Sequence, residues 1–265
     1  VYSTPKAMFL GAIASFLTMQ PRRVCIVRGR AYEDFSGFKR SFFKLLDKVT
    51  FLLSTEVYFI SNSLRDAYNK EFSGLNSQVV ANGSSKGVDT SRFIPLSNKE
   101  RAILRNDFGL SINSKVFCCV GRLCKDKGVS ELQAIIEYFA ENYFDVRFLI
   151  VGEAEDEFAR NLLQSNYNNV IYISHVSNVE KVFQVSDVNV FLSHREGFGN
   201  VPIEAASCNI LTIGYNVVGV QDSIKESITG YKVDKGDVAK VINLLEGFLK
   251  NETKNSLVQN NNRCR

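Results

Sequence analysis

The chain has 265 residues, longer than the usual single domain, so two domains are expected. Its 45% apolar content includes no uninterrupted run near the ~20 residues of a spanning helix, which points to a soluble globular protein. Net charge is +4, but residues 1–95 carry 13 Lys+Arg against 7 Asp+Glu and the remainder 19 against 21. The basic first part therefore suits an anionic partner: nucleic acid, a phospholipid surface or a diphosphate-linked substrate.

In chain order, Thr4-Pro5 reads as a cap and first helical residue, and Lys6 to Met19 as a helix with Phe9, Ile13, Phe16 and Leu17 on one side. Pro21 ends it. Val24 to Val27 is a short strand delivering Arg28 and Arg30 at its carboxyl end, where doubly wound sheets place ligands. Ser36 to Leu53 is the most amphipathic segment, with Phe38, Phe42, Leu45, Leu46, Val49 and Leu53 at helical spacing and Arg40, Lys44 and Lys48 on another face. Such a helix suits either an anionic membrane surface or the face of a sheet. Val57 to Ile60 and Gln78 to Val80 are further strands, with Ser61-Asn62-Ser63 placed to cap a helix between them. The turn-rich stretch from Asn82 to Gly87 marks a boundary, giving domains at 1–95 and 96–265.

The second part alternates strand-like runs (116–120, 146–151, 170–173, 188–192, 210–213) with helix-like segments (129–142, 155–165, 179–185, 202–207, 238–249). That rhythm predicts a parallel sheet covered by helices on both faces. Asn260 to Arg263 reads as a frayed tail. The six cysteines form no C-x2-C pair, and with only His175 and His194 a zinc site is not expected; the thiols suit a reduced cytosolic setting.

The most informative stretch runs from Ser193 to Ala206. An apolar strand is followed by Arg195-Glu196-Gly197-Phe198-Gly199-Asn200-Val201 and then by a helix opened by Pro202. Glycines at a strand-to-helix junction let backbone N–H groups approach an anion, and the helix dipole is positive there. Glu196 and Glu204 flank this positive end, so the ligand would carry sugar hydroxyls as well as phosphates. A second junction, Gly121-Arg122-Leu123-Cys124-Lys125-Asp126-Lys127-Gly128, follows the first strand of the second part and carries cations. It is not Gly-x-Gly-x-x-Gly, so the dinucleotide fingerprint fails.

Glu196 and Glu204 with the embedded Gly-Phe-Gly resemble the Glu-x7-Glu signature of retaining glycosyltransferase family 4, and Arg122 and Lys127 match the spacing of that family's diphosphate clamp. The resemblance implies an α/β protein of GT-B type, with two Rossmann-like domains. The first would be incomplete at its N-terminal side, since family chains begin roughly a hundred residues upstream. It further implies that Glu196 binds donor-sugar hydroxyls and Glu204 the ribose. Backbone groups of Gly197, Phe198, Gly199, Asn200, Val201 and Gly121 would hold the sugar and diphosphate, and Val176 or His175 would meet the base. The family's early histidine is replaced by Ser3 or Thr4, and Val218-Gly219-Val220-Gln221-Asp222-Ser223 stands where many members have Gly-Gly before Pro-Glu.

The implied activity is retaining, metal-independent transfer of a sugar, with a lean to an N-acetylhexosamine such as GalNAc. The donor would be a UDP-sugar and the acceptor a polyprenyl-diphosphate-linked saccharide of bacterial O-antigen or capsule synthesis, approached by Arg28 and Arg30. The basic excess of residues 1–95 and the Phe-rich segment carrying Arg40, Lys44 and Lys48 suit peripheral attachment to the inner face of the cytoplasmic membrane; no cofactor, no metal and no nucleic-acid partner are expected. A nucleotide-sugar epimerase of the same fold and a non-catalytic nucleotide-sugar-binding module remain open as alternatives.

Overall fold

The structure, a computed structural model, describes residues 1–30, 32, 33 and 35–250; the expected frayed tail and Cys264 lie outside the described residues. The chain divides into two compact units. The first comprises Val1–Gly87 with two later segments, Arg195–Gly199 and Val218–Asp222; the second comprises Val88–His194, Asn200–Val217 and Ser223–Arg265. The main division falls at Gly87, earlier than the expected 95, and part of the Glu-x7-Glu loop groups with the first unit.

The first unit holds β1 (Tyr2–Ser3), α1 (Pro5–Leu17), β2 (Val24–Val27), α2 (Gly37–Leu53), β3 (Glu56–Phe59), α3 (Asn62–Glu71) and β4 (Ser77–Val79). Its four strands are parallel in the order β1-β2-β3-β4. Cys25, Val27, Val57 and Phe59 are buried at alternate positions. An aromatic cluster packs beside them: the Tyr68 ring lies 5.2 Å from Phe59, 5.7 Å from Phe51 and 5.8 Å from Phe72. Ser61 caps α3, its Oγ accepting from Leu64 N at 3.3 Å.

Two expectations for this unit need correction. Thr4 does not cap α1 through its side chain; it sits at φ +76, and Pro5 alone marks the helix start. The buried residues of α1 are Met8 and Ala12, while Phe16 and Leu17 are exposed. On α2, likewise, Thr50 and Phe51 are buried, whereas Phe38, Phe42 and Leu45 of the expected apolar face are exposed. The stripe read from the sequence is real at helical spacing, but the helix turns a different side to the sheet.

The second unit contains α4 (Asn98–Asp107), β5 (Lys115–Val120), a 3-10 turn (Lys125–Lys127), α5 (Val129–Asn142), β6 (Val146–Val151), α6 (Glu157–Gln164), β7 (Val170–Ile173) and α7 (Val179–Val185). It continues through β8 (Val188–Phe191), α8 (Asn200–Ser207), β9 (Leu211–Tyr215), the short α9 (Val220–Ser223), whose first three residues belong to the first unit, β10 (Gly230–Val233) and α10 (Val238–Leu249). The six strands are parallel in the order β10-β9-β8-β5-β6-β7, the Rossmann order with its reversal between β5 and β8.

Alternate residues of the central strands enter different cores. Phe117, Cys119, Phe148 and Ile150 pack with Ile135, Ile136 and Phe139 of α5. Val116, Cys118, Leu149 and Val151 pack with Val182 and Phe183 of α7. Period-two strands apolar at every position are what a doubly covered parallel sheet requires. Each such side chain contributes roughly 1.5–3 kcal/mol on burial.

A buried charge network secures α4. Arg105, 4% exposed, donates from Nε to Val185 O at 2.9 Å, from Nη1 to Ile112 O and Ser114 O, and from Nη2 to Asp187 Oδ2 at 2.8 Å. Asp187 also accepts from Arg101 and from Val116 N. Among the described residues no helix is long and apolar enough to cross a membrane.

Candidate active site

Ligands of a doubly wound sheet bind where the strand order reverses, here at the loops leaving β5 and β8. The loop after β5 carries Gly121, Arg122 and Lys127. It lies along the loop after β6 through backbone bonds from Gly121 N to Val151 O, Leu123 N to Glu153 O and Glu155 N to Leu123 O, all 2.8–2.9 Å. Gly152 is the close-approach residue: at φ +148, a Cβ there would lie 1.8 Å from Gly121 O. Asp156 does two jobs, accepting from Lys125 N at 2.6 Å and capping α6 through Ala159 N at 3.0 Å.

Lys127 Nζ donates to Ser193 Oγ at 3.2 Å, which places this cation at the carboxyl end of β8. Ser193 is buried, and His194 N donates to Asp126 O at 2.8 Å. Gly128, at φ +73, begins α5 against the β8 backbone, where a Cβ would lie 2.4 Å from Leu192 O. The side chain of His194 is held by Glu131 of α5, Nε2 to Oε1 at 2.7 Å. Arg122 pairs with Glu155 at 2.6 Å, both side chains well exposed. An exposed pair contributes only about 0–1 kcal/mol, so an arriving phosphate can exchange for the carboxylate.

Helix α8 begins at Asn200, two residues earlier than expected, so Pro202 stands third in the helix. Its missing N–H is still one of the groups without an intrahelical partner. Glu204 is buried on α8 at 6% exposure, while Asn200 and Val201 are half-buried at the helix start. In the loop after β7, His175 is exposed and Val176 packs partly against the core.

The remaining predicted residues lie in the first unit. Gly197 is tightly packed there: a Cβ would lie 2.0 Å from Arg28 O, and its carbonyl accepts from Ser61 Oγ at 2.6 Å. Phe198 is buried, its ring so close to Gly83 that a Cβ at that position would lie 2.6 Å away. Gly199 adopts φ +78 and Glu196 is half-buried. The segment 218–222 is fixed to the start of α3, Asp222 accepting from Asn62 N and Ser63 N and Gly219 N donating to Ser63 Oγ.

Arg28 is exposed, whereas Arg30 is committed to Glu33 at 2.9 Å and Glu71 at 3.4 Å with only 11% of its side chain exposed. Glu71 also binds Arg40 at 2.8 Å and Lys44 at 3.2 Å, so two of the three cations expected to line one face of α2 converge on one carboxylate. Beside them, Pro5, Met8, Phe9, Phe43, Leu46 and Asp47 help line a mainly apolar cavity of about 180 Å³. Burial pushes the Asp47 carboxyl up to about 6, against the hydrogen bond it accepts from Tyr68. Among the described residues no group of three or more His, Cys, Asp or Glu is placed to hold a metal ion.

Sequence reasoning missed Ser193, Glu131 and Glu155 as supporting residues. Ser193 was within reach, being the first polar residue after the β8 apolar run. The other two join loops that meet only in the fold.

A parallel sheet of Rossmann order, with cations on the first loop and a buried carboxylate on the helix after the reversal, defines a doubly wound α/β unit. Residues 100–265 match the family described as glycosyl transferases group 1, and the chain belongs to that family. It is 32% identical to the capsular polysaccharide biosynthesis glycosyltransferase CapM of Staphylococcus aureus, over 99% of this chain and 70% of that protein. It is 29% identical to the Escherichia coli UDP-Gal:alpha-D-GlcNAc-diphosphoundecaprenol alpha-1,3-galactosyltransferase, over 91% of this chain and 63% of that protein. Among solved structures, Anabaena HepE in complex with UDP superposes with a TM-score of 0.81 at 20% identity, covering 96% of this chain and 70% of that one. WaaG, a glycosyltransferase involved in lipopolysaccharide biosynthesis, gives 0.69 at 15% identity, covering 88% and 70%. The fold class is thus α/β with parallel sheets, and its structural neighbours are GT-B glycosyltransferases.

Proposed function

We propose that the chain is the donor-binding and partial acceptor-side portion of a retaining, metal-independent glycosyltransferase. It would move a sugar, with a lean to an N-acetylhexosamine such as GalNAc, from a UDP-sugar to a polyprenyl-diphosphate-linked saccharide in bacterial surface-polysaccharide synthesis. The observation that carries this reading is Lys127, fixed on Ser193 where the strand order reverses, with Arg122 on the same loop. These cations neutralise charge that grows on the leaving diphosphate. That diphosphate then assists removal of the acceptor proton on the same face, so no protein nucleophile is required. Glu204 accepts from the ribose hydroxyls and Glu196 from the donor sugar. Support for the donor and acceptor classes comes from two comparisons: UDP bound to HepE, and the lipid-diphosphate substrate in the E. coli relative's name. Work would be done at the inner face of the cytoplasmic membrane.

Calorimetry with UDP, GDP and their sugars, followed by a transfer assay on an undecaprenyl-diphosphate saccharide, tests this reading. UDP should bind, EDTA should leave the rate unchanged, and Arg122→Ala or Lys127→Ala should lower kcat at least about tenfold with a smaller effect on donor KM. Wild-type turnover in both alanine variants would sink the mechanism.

A further inference from the structure

We propose that His194 and Glu131 form a positioning pair for Lys127, an inference that rests on the transferase reading above. A lysine carries its charge on a long flexible stem, so a defined position demands a fixed partner. Ser193 Oγ, 3.2 Å from Nζ, is such a partner, and Ser193 stands two residues beyond the end of β8. Where its hydroxyl sits therefore depends on what holds the β8 exit.

The next residue supplies the hold twice. His194 N donates to Asp126 O at 2.8 Å, and the imidazole Nε2 lies 2.7 Å from Glu131 Oε1 on α5. The ties 126–194, 127–193 and 131–194 thus join the 3-10 turn and α5 to the strand exit in register. Gly128 against Leu192 closes the same seam from behind, where a Cβ would lie 2.6 Å from Leu192 Cβ. His194 and Glu131 expose only 19% and 20% of their side chains, so their hydrogen bond is shielded in a way surface pairs are not. Removing the imidazole leaves the backbone bond but frees the exit from α5. Ser193 then drifts, and Lys127 loses this anchor.

The pair is not a proton shuttle. The imidazole, with its proton on Nε2, serves as a fixed donor to the Glu131 carboxylate. The groups facing His194 include Glu131 from α5, the Asp126 carbonyl from the turn, and Tyr215 of β9, whose ring centroid is 6.1 Å away. A glutamine amide nitrogen can reproduce the Nε2–H donor, whereas phenylalanine keeps only the ring.

A double-mutant cycle with Lys127→Ala is the test, run alongside UDP calorimetry and thermal melting. His194→Phe should lower kcat about thirtyfold with donor KM within about threefold, and His194→Gln should stay within about threefold of wild type with an unchanged pH profile. In the Lys127→Ala background, His194→Phe should cost less than about twofold, because the group it positions is gone. Equal losses in both backgrounds, or a glutamine variant no better than phenylalanine, would overturn the proposal. If His194→Phe does not fold, the same cycle with Glu131→Ala decides the matter, with coupling expected and additivity overturning it. A wild-type chain that neither binds UDP nor transfers sugar would overturn the functional reading itself, whereas additive losses in an active enzyme would overturn only the positioning role.

Discussion

Replacing Gly152 with alanine tests how tightly the loops after β5 and β6 are pressed together. The new Cβ would lie 1.8 Å from Gly121 O and 2.6 Å from Gly121 C, and both are backbone atoms that no rotamer change can move aside. Relief requires the strand ends to part until the contact passes 3.0 Å, disturbing the bonds from Gly121 N to Val151 O and from Gly152 N to Ile173 O. Overpacking of this kind costs about 1–3 kcal/mol. The φ of +148, which side-chain-bearing residues rarely adopt, adds about 1–3 kcal/mol. A total of about 2–6 kcal/mol lowers the melting temperature of a unit this size by roughly 4–24 °C. Gly121→Ala is the matched control: its φ of +142 imposes strain, but nothing lies within 4 Å of its Cβ. Circular dichroism melts give the stability, and calorimetry at a temperature where both variants are folded should show UDP binding weakened more in Gly152→Ala. If that variant melts within about 2 °C of wild type and no lower than the control, the loop packing described above is wrong.

Three further outcomes are expected. Asp47 is less acidic folded than unfolded, so its contribution to stability is fully present below about pH 4 and is lost as pH rises through about 6. Asp47→Asn should therefore gain on wild type between pH 4.5 and 7.5, by roughly 1–3 kcal/mol in urea titrations, and an equal difference at both pH values would refute this. Arg105→Ala leaves Asp187 and three backbone carbonyls short of a buried donor, and should destabilise by about 3 kcal/mol by chemical denaturation. Membrane attachment is expected to rest on exposed Phe38, Phe42 and Leu45 together with Lys48, since Arg40 and Lys44 are engaged with Glu71. Co-sedimentation with anionic but not neutral vesicles, weakened by salt and by Phe38→Ser with Lys48→Glu, supports it; equal binding to both vesicle types, or none, refutes it.

The sheet of the second unit was legible because five of its strands are apolar runs and its longer helices have apolar residues at helical spacing. β10 escaped because Gly230-Tyr231-Lys232-Val233 is neither a run nor a clean alternation. α4 escaped because Asn98–Asp107 is polar almost throughout, although Ser97 and Glu100 form a capping box that announces its start. β1, with two residues, is too short to carry a pattern. At the site, loop order and residue type were readable, but partners were not. Glu71 lies 41 residues from Arg30 and Glu155 lies 33 from Arg122, separations across which sequence periodicity carries no information. Which side of α2 faces the sheet was misread for a related reason. Several of its apolar residues stay outside while Thr50 goes in, its hydroxyl donating to Leu46 O at 2.8 Å.

The thiols have a practical consequence. Burial pushes Cys25, Cys118 and Cys208 up to about 12 and Cys119 well above its ordinary value, so these sulfurs remain protonated and shielded from alkylating reagents. Among the described cysteines, Cys124 alone is partly exposed, and it sits between Arg122 and Lys127 on the loop proposed to hold the diphosphate. With Cys264 replaced by serine, a maleimide dye would couple at this native position. Its emission would then report nucleotide arrival in real time, turning the chain into a binding sensor without an engineered cysteine.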